Sequence, residues 1–292
     1  LGAAVMAAKA VVDAGVRLRG TLTVAGLIDE ENLMVGAKHF VASGRAQGID
    51  SAITVEPTFS MGIGTAFCGR TRAEILVHGA PGHIGVDPES PFGLNAIEAA
   101  APLIQRISSA PPPHRDHPIY KRTHWQVVSI VGGDPNEATI PAACTLRVDA
   151  RTVPGHAADE VWAHMATLID ELSTPERSLR AEIRPVEGYD TASWETPLDA
   201  EVVQAFDRAY RTALGREPRH NVPPQLPPGS GYALKVSTDL HHLAPLGIAC
   251  ANTGPRGAGA HGADEYVLTE EVINVTKVLA LTILDYLGVA GA

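Results

Sequence analysis

TLTVAGLIDEE at residues 21–31, followed by SAITVEP at residues 51–57, decides the fold class. The first stretch is a nearly continuous apolar run that stops at an acidic triplet. Such a run fits a strand buried on both faces, as in a parallel sheet. Residues 33–42 read as a helix, and residues 51–55 as a second buried strand ending at Glu56-Pro57. Strand, helix, strand is a βαβ unit. Both acidic groups then sit at C-terminal strand ends, the edge where open α/β sheets bind ligands.

Working outward, residues 1–12 have a helical pattern with Gly15 as its end signal. The chain opens inside that pattern with Leu1 and no initiator Met, so an N-terminal truncation is expected. From about residue 72 the texture changes. Residues 72–78 read as a strand, 93–107 as a helix, 110–123 as a Pro- and His-rich loop, and 125–131 as a strand. Residues 145–151 alternate apolar and polar, as a half-exposed antiparallel strand does. A helix over 157–172 and a strand over 179–186 complete a β-α-β-β-α-β order, which is ferredoxin-like. This stretch is read as a domain inserted into the first, giving the divisions 1–70, 71–187 and 188–292. Downstream, 198–214 is a helix, 216–231 a Pro- and Gly-rich loop and 247–253 a buried strand. A Gly-rich loop over 254–262 carries His261. Thr269 is then expected to cap a last helix, with Glu270 and Glu271 in its positive first turn.

Composition narrows the function. The chain has 292 residues, 45% apolar and 19% charged, enough for two domains of ordinary globular character. A net charge of −10 without a basic stripe argues against a nucleic-acid partner. Cys68, Cys144 and Cys250 are far apart and form no CxxC, which disfavours a disulfide framework or a thiolate zinc site and favours a reducing, cytoplasmic setting. Residues 272–287 carry Lys277 and Asp285 and are too short and mixed to span a bilayer, so no membrane partner is expected.

Three signals carry chemistry. Glu30 and Glu31 are adjacent at a strand end, so their side chains point apart: one can ligate a metal while the other faces substrate as a base. The bland alternative is a solvated turn. Glu56 caps a buried strand, where a carboxylate is costly unless paired or ligated; a sheet-edge salt bridge would also satisfy it. His261 sits on a loop just past a strand, with Asp264 and Glu265 near enough in sequence to orient it. Alone it reads equally as a surface-loop His.

The segments GLIDEENLMVGAK, DSAITVEPT, HGAPGHIGVDPESPFGLNAI, TIPAACTLRVDAR, STDLHHLAPLGIACANTGP and AGAHGADEYV follow one another along the chain. Together they resemble the zinc-dependent family of acetylornithine deacetylase, succinyl-diaminopimelate desuccinylase and glutamate carboxypeptidase. The resemblance implies an α/β, three-layer zinc-exopeptidase-like catalytic domain with an inserted ferredoxin-like lid and dimerisation domain. It implies that Glu30 is the general base, and that Glu31, Glu56 and His261 are metal ligands. Two zinc ions per complete subunit are expected, with cobalt or manganese as alternatives. His83 matches a lid residue that stabilises the oxyanion in the partner subunit of a homodimer. Arg151 matches a clamp on the substrate carboxylate, a role its planar guanidinium suits; an ordinary strand ion pair with Asp149 is the alternative. Asp239 matches a family position near the substrate end. His241 and His242 read as structural, because neighbours on a helix do not share a face. The substrate implied is an N-acyl amino acid, or a small peptide with a free carboxylate.

This sequence also departs from the family pattern. A further His, a bridging Asp and the Asp of a DxKGG-like turn are not among its residues. Weak zinc binding and little activity are therefore expected of this chain by itself, along with an apolar sheet edge left open. A catalytically dead, dimerising or ligand-binding remnant is the rival reading. Ala138 stands where the family often has an Asn that contacts substrate, and the loop over 85–92 looks longer than in the simplest members.

Overall fold

The computed structural model describes residues 1–57, 61–85, 93–113, 116–173, 179–222 and 235–291. They form two compact units, Leu1–Phe67 with Trp194–Ala292, and Cys68–Ser193. The tip of the expected long loop, residues 86–92, and most of the Pro- and Gly-rich loop, residues 223–234, lie outside the described residues.

The first unit opens with α1 (Gly2–Asp13), closed by Ala14 and by Gly15 at φ +66°, a left-handed backbone that glycine adopts without steric cost. Then come α2 (Val35–Ala42), β1 (Ser51–Val55), β2 (Ile63–Gly64) and β3 (Ala66–Phe67). The expected strand at 21–28 is not formed. These residues enter no sheet among the described residues, and Leu22, Val24 and Ile28 are exposed. Residues 23–27 instead wall an open groove of about 440 Å³ with Phe40 and Arg45. An apolar run becomes a strand only where a neighbour offers N–H and C=O groups to pair with. The ladder of β1 runs to β11 (Ala249–Thr253), in parallel from Ser51↔Ala249 to Val55↔Thr253, and not to residues 21–28.

The second unit runs β4 (Gly69–His78), β5 (Gly82–His83), α3 (Ala96–Ser109), β6 (His124–Gly132), β7 (Thr139–Ile140), β8 (Ala143–Thr152), α4 (Ala158–Leu172) and β9 (Arg180–Pro185). Its main sheet is antiparallel in the order β6-β8-β4-β9, and β5 pairs with β7. With that short pair set aside, the order is β-α-β-β-α-β. Alternation along β4 and β8 turns Ala73, Ile75, Val77, Leu146 and Val148 inward against Leu103 of α3 and Met165 and Leu168 of α4. Helix α3 begins at Ala96 rather than at residue 93 because the Asn95 side chain accepts the Ile97 and Glu98 amides.

The first unit resumes with β10 (Trp194–Glu195), α5 (Glu201–Leu214), a 3₁₀ turn (Asp239–His242), β11, β12 (Gly257–Ala258), β13 (Tyr266–Val267) and α6 (Thr269–Leu287). Phe206, Tyr210, Val275 and Val278 of α5 and α6 enclose Ala3 and Ala7 of α1. A smaller core stacks Phe67 on Trp194 at 5.0 Å, with buried His241 edge-on to both rings. Thr269 is the first helical residue of α6, with Leu268 at the cap and no side-chain cap bond. Glu270 and Glu271 lie in the first turn as expected, and Glu271 is buried and paired with Arg256 at 2.8 Å. Cys68, Cys144 and Cys250 are buried and in no disulfide among the described residues. Among the described residues no helix is long and apolar enough to cross a membrane.

Candidate metal-binding and catalytic site

Glu30 and Glu31 lie in a turn that the backbone of Asp29 organises. Asp29 (φ 64°) and Met34 (φ 53°) are both left-handed, which folds the chain back within a few residues. The Asp29 carbonyl accepts the Met34 amide at 2.7 Å, and its carboxylate accepts the Leu33 amide at 3.2 Å. Buried Met34 and the Gly36 amide, bonded to the Ile28 carbonyl at 3.1 Å, tie the turn to α2. The two glutamates are thus held by a turn and not by a strand end. Glu30 is half-buried and Glu31 exposed.

Glu56 extends the β1–β11 ladder by one residue, its amide donating to the Thr253 carbonyl at 2.9 Å. Gly254 passes so close that a Cβ there would lie 1.7 Å from the Glu56 carbonyl oxygen. Burial pushes the Glu56 carboxyl up to about 8, helped by the negative charges of Glu30, Asp239 and Glu31. Asp239, buried at the start of the 3₁₀ turn, is raised by burial and then by Asp29. Its Oδ1 is buried and has no hydrogen-bond partner among the described residues. An orphaned buried carboxylate oxygen in a field of like charge is costly, and a cation would relieve it.

His261 lies between β12 and β13 with φ 63°. Its Nε2 is 3.6 Å from Glu31 Oε2, both side chains being exposed. Such an exposed pair adds little stability; its interest is that it brings two donors together. Among the described residues no hydrogen bond joins His261 to Asp264 or Glu265, because the loop instead closes on its own backbone, Gly262 amide to Gly259 carbonyl at 2.7 Å. The first unit therefore gathers Glu30, Glu31, Glu56 and Asp239 electrostatically and sets His261 beside Glu31. No three His, Cys, Asp or Glu side chains among the described residues close on one point. Oxygen and imidazole donors suit zinc and other divalent ions, so the donor chemistry fits a metal while the set stays open.

In the second unit, His83 lies on β5 opposite Thr139 of β7. Its Nδ1 accepts the Gly85 amide at 3.0 Å, so a neutral imidazole carries its proton on Nε2 as a donor. The Ala138 carbonyl accepts the Ile84 amide at 3.3 Å, which puts Ala138 across from the His83 segment. Arg151, on β8, donates from Nε to Asp149 Oδ1 at 3.1 Å, so the ion pair weighed from sequence exists. Asp29, Arg72 and Tyr189 are not among the residues that the sequence marks. The alternating charge of Arg70, Arg72 and Glu74 against Arg147, Asp149 and Arg151 is a signal for Arg72; nothing in the sequence points to Tyr189.

The model of peptidase family M20/M25/M40 matches residues 1–285. The chain is 28% identical over 277 residues to the acetylornithine deacetylase of Myxococcus xanthus, covering 93% of this chain and 67% of that protein. It is 26% identical to the succinyl-diaminopimelate desuccinylase of Stenotrophomonas maltophilia, covering 93% and 68%. Among solved structures it is similar to aminopeptidase PepT of Bacillus cereus, with a TM-score of 0.73 and 18% identity over 96% of this chain and 68% of that one. A dinuclear metal-binding peptidase of Bacillus subtilis gives a TM-score of 0.68 and 17% identity over 97% and 70%.

Proposed function

The chain belongs to peptidase family M20/M25/M40, and on that premise we propose that it carries a large part of a metal-dependent hydrolase cleaving the amide bond of an N-acyl amino acid, or of a small peptide with a free carboxylate. The observation that carries this reading is the convergence of Glu30, Glu31 and Asp239 on a Glu56 carboxyl already raised to about 8. Glu31 would help to hold one divalent ion and Glu56 the other, with His261 as the remaining ligand; zinc is the first choice, with cobalt or manganese as alternatives. When bound, such an ion supplies Lewis acidity to water and to the scissile carbonyl. Glu30 takes the proton of the attacking water and returns it to the leaving nitrogen. His83 offers its Nε2–H to the oxyanion from a partner subunit. Arg151 grips the substrate carboxylate, and Asp239 lies toward the substrate end.

Residues 1–292 supply only part of the ligand set that the family resemblance calls for. The 292-residue chain alone is therefore expected to hold zinc weakly and to turn over little. Elemental analysis of this chain and of the polypeptide as its gene encodes it, with a panel of N-acetyl and N-succinyl amino acids, checks both statements. About two metals and amino-acid release in the gene-encoded polypeptide support the hydrolase. Metal without release on any acylated amino acid or dipeptide would sink it. The open donor set favours the rival, a remnant that has lost catalysis; absence of bound metal from both forms would establish that rival.

A homodimer through the second unit is part of the same proposal. Strand β6 has β8 as its neighbour at the end of the sheet order, and Val128, Ile130 and Val131 on it are 51%, 50% and 67% exposed. An apolar edge strand invites pairing with another chain. Sedimentation should show a dimer for the native chain and a monomer for Ile130→Lys/Val131→Lys; a native chain that sediments as a monomer at tens of micromolar removes the reading. The three buried cysteines fit a reducing, cytoplasmic setting.

A further inference from the structure

The polar face of the β4–β8 pair holds three cross-strand rows: Glu74 opposite Arg147, Arg72 opposite Asp149, and Arg70 opposite Arg151. The first two rows join opposite charges, with Arg147 bonded to Glu74 at 2.5 Å and Arg72 to Asp149 at 2.8 Å. The third sets two arginines opposite each other in register, an arrangement that is unfavourable for like charges. Asp149 serves both its own row and this one. Its Oδ2 accepts Arg72 Nε at 3.1 Å, Arg72 Nη2 at 2.8 Å and the Tyr189 hydroxyl at 2.6 Å, while its Oδ1 accepts Arg151 Nε at 3.1 Å. The Tyr189 hydroxyl also accepts from Arg72 Nη2 at 2.9 Å, and its ring faces the guanidiniums of Arg72 at 3.9 Å and Arg70 at 4.7 Å. Both oxygens of a nearly buried carboxylate are therefore committed, and Asp149 has no second orientation that keeps these bonds.

Arg151 is held through Nε only. Its side chain is 27% exposed, and among the described residues no hydrogen bond engages its Nη groups. Those groups, with their fixed planar geometry, are the part of arginine that takes a carboxylate in two parallel bonds. We propose that Asp149, locked by Arg72 and Tyr189, is a positioning residue that fixes the Arg151 guanidinium and leaves its Nη groups to a ligand carboxylate. The inference rests on the assignment of Arg151 to the substrate carboxylate made above.

The test uses variants that keep the local charge, so that a change in binding reports position and not field. Asp149→Glu keeps the carboxylate but displaces it by one methylene; Tyr189→Phe keeps the ring and removes the 2.6 Å bond. The probes are N-acetylglycine and its uncharged amide, N-acetylglycinamide, titrated into the 292-residue chain while the Arg151 Nε–H resonance is followed by NMR. Native protein should bind the acid and not the amide. Both variants should weaken the acid by about fivefold, the scale of one misaligned hydrogen bond, with the Arg151 resonance broadened before ligand is added. Tyr189→Phe, which adds no bulk, carries the test if Asp149→Glu does not fold. Native-like binding in both variants, with loss in Arg151→Lys, overturns the positioning role and leaves the Arg151 assignment standing. No preference for the acid in native protein, or native-like binding by Arg151→Lys, overturns the assignment and the positioning role with it.

Discussion

Glu56→Gln should stabilise the metal-free chain by about 5 kcal/mol at pH 9 and by almost nothing at pH 4, the value following from the size of the shift at about 1.4 kcal/mol per pH unit. The sign follows from linkage. The Glu56 carboxyl ionises near 8 in the folded chain against an ordinary 4.5, because burial and the facing Glu30, Asp239 and Glu31 oppose its charge. The native state therefore keeps a proton that the unfolded state has released. Stability is greatest below about 4.5, falls as pH rises from there to about 8, and is flat beyond. Glutamine has nearly the same shape and no charge, so the variant should lose this slope. Asp239, raised by burial and by Asp29, adds a smaller fall of the same sign. Urea denaturation of both proteins from pH 4 to 9 checks the result. A native stability that does not decline across that window would show that the carboxylates are not crowded. Zinc should narrow the difference, raising the melting temperature of the native chain more than that of the variant, if the group that costs stability in the metal-free protein binds the ion as proposed.

Glu30→Gln should lower kcat by about a thousandfold in the gene-encoded polypeptide, within the range that loss of a general base produces, with zinc content unchanged. Glutamine can still hydrogen-bond the attacking water but cannot take its proton. Loss of zinc together with activity would make Glu30 a ligand instead of a base, and an unchanged kcat would remove it from the chemistry. The same substitution removes one of the charges that raise Glu56, so the metal-free variant should also show a shallower decline in stability with pH.

The elements that could be read from sequence are those whose pattern and partner agree. The alternation of residues 145–151 becomes β8 because β4 and β6 flank it and bury one of its faces. The apolar runs at 51–55 and 247–253 become β1 and β11, paired in parallel. The run at 21–28 has the same texture and forms no strand, because texture records a need for burial and not the presence of a neighbour. Short-range signals misplaced several helix starts: Asn95 moves α3 past Gly93, α5 begins at Glu201 and not at residue 198, and Thr269 lies inside α6 instead of capping it. At the candidate site, residue types and spacing marked Glu30, Glu31, Glu56 and His261, and the family resemblance added Asp239. They could not show that Asp29 organises the turn beneath the glutamates, or that Asp239 holds an orphaned oxygen. Tyr189 lies 40 positions from Asp149, and only the fold brings its hydroxyl to that carboxylate.

Gly254 bears on evolvability. The backbone of Glu56 lies against a position where even a methyl group would strike the main chain, so that backbone cannot be nudged by trying larger residues at 254. If Glu56 ligates a metal as proposed, a lineage that drifted toward another metal would have to change the acid itself, one methylene at a time, while its anchor stayed still. Such a site adapts in coarse steps, and the residue that makes it so rigid is the one with no side chain to vary.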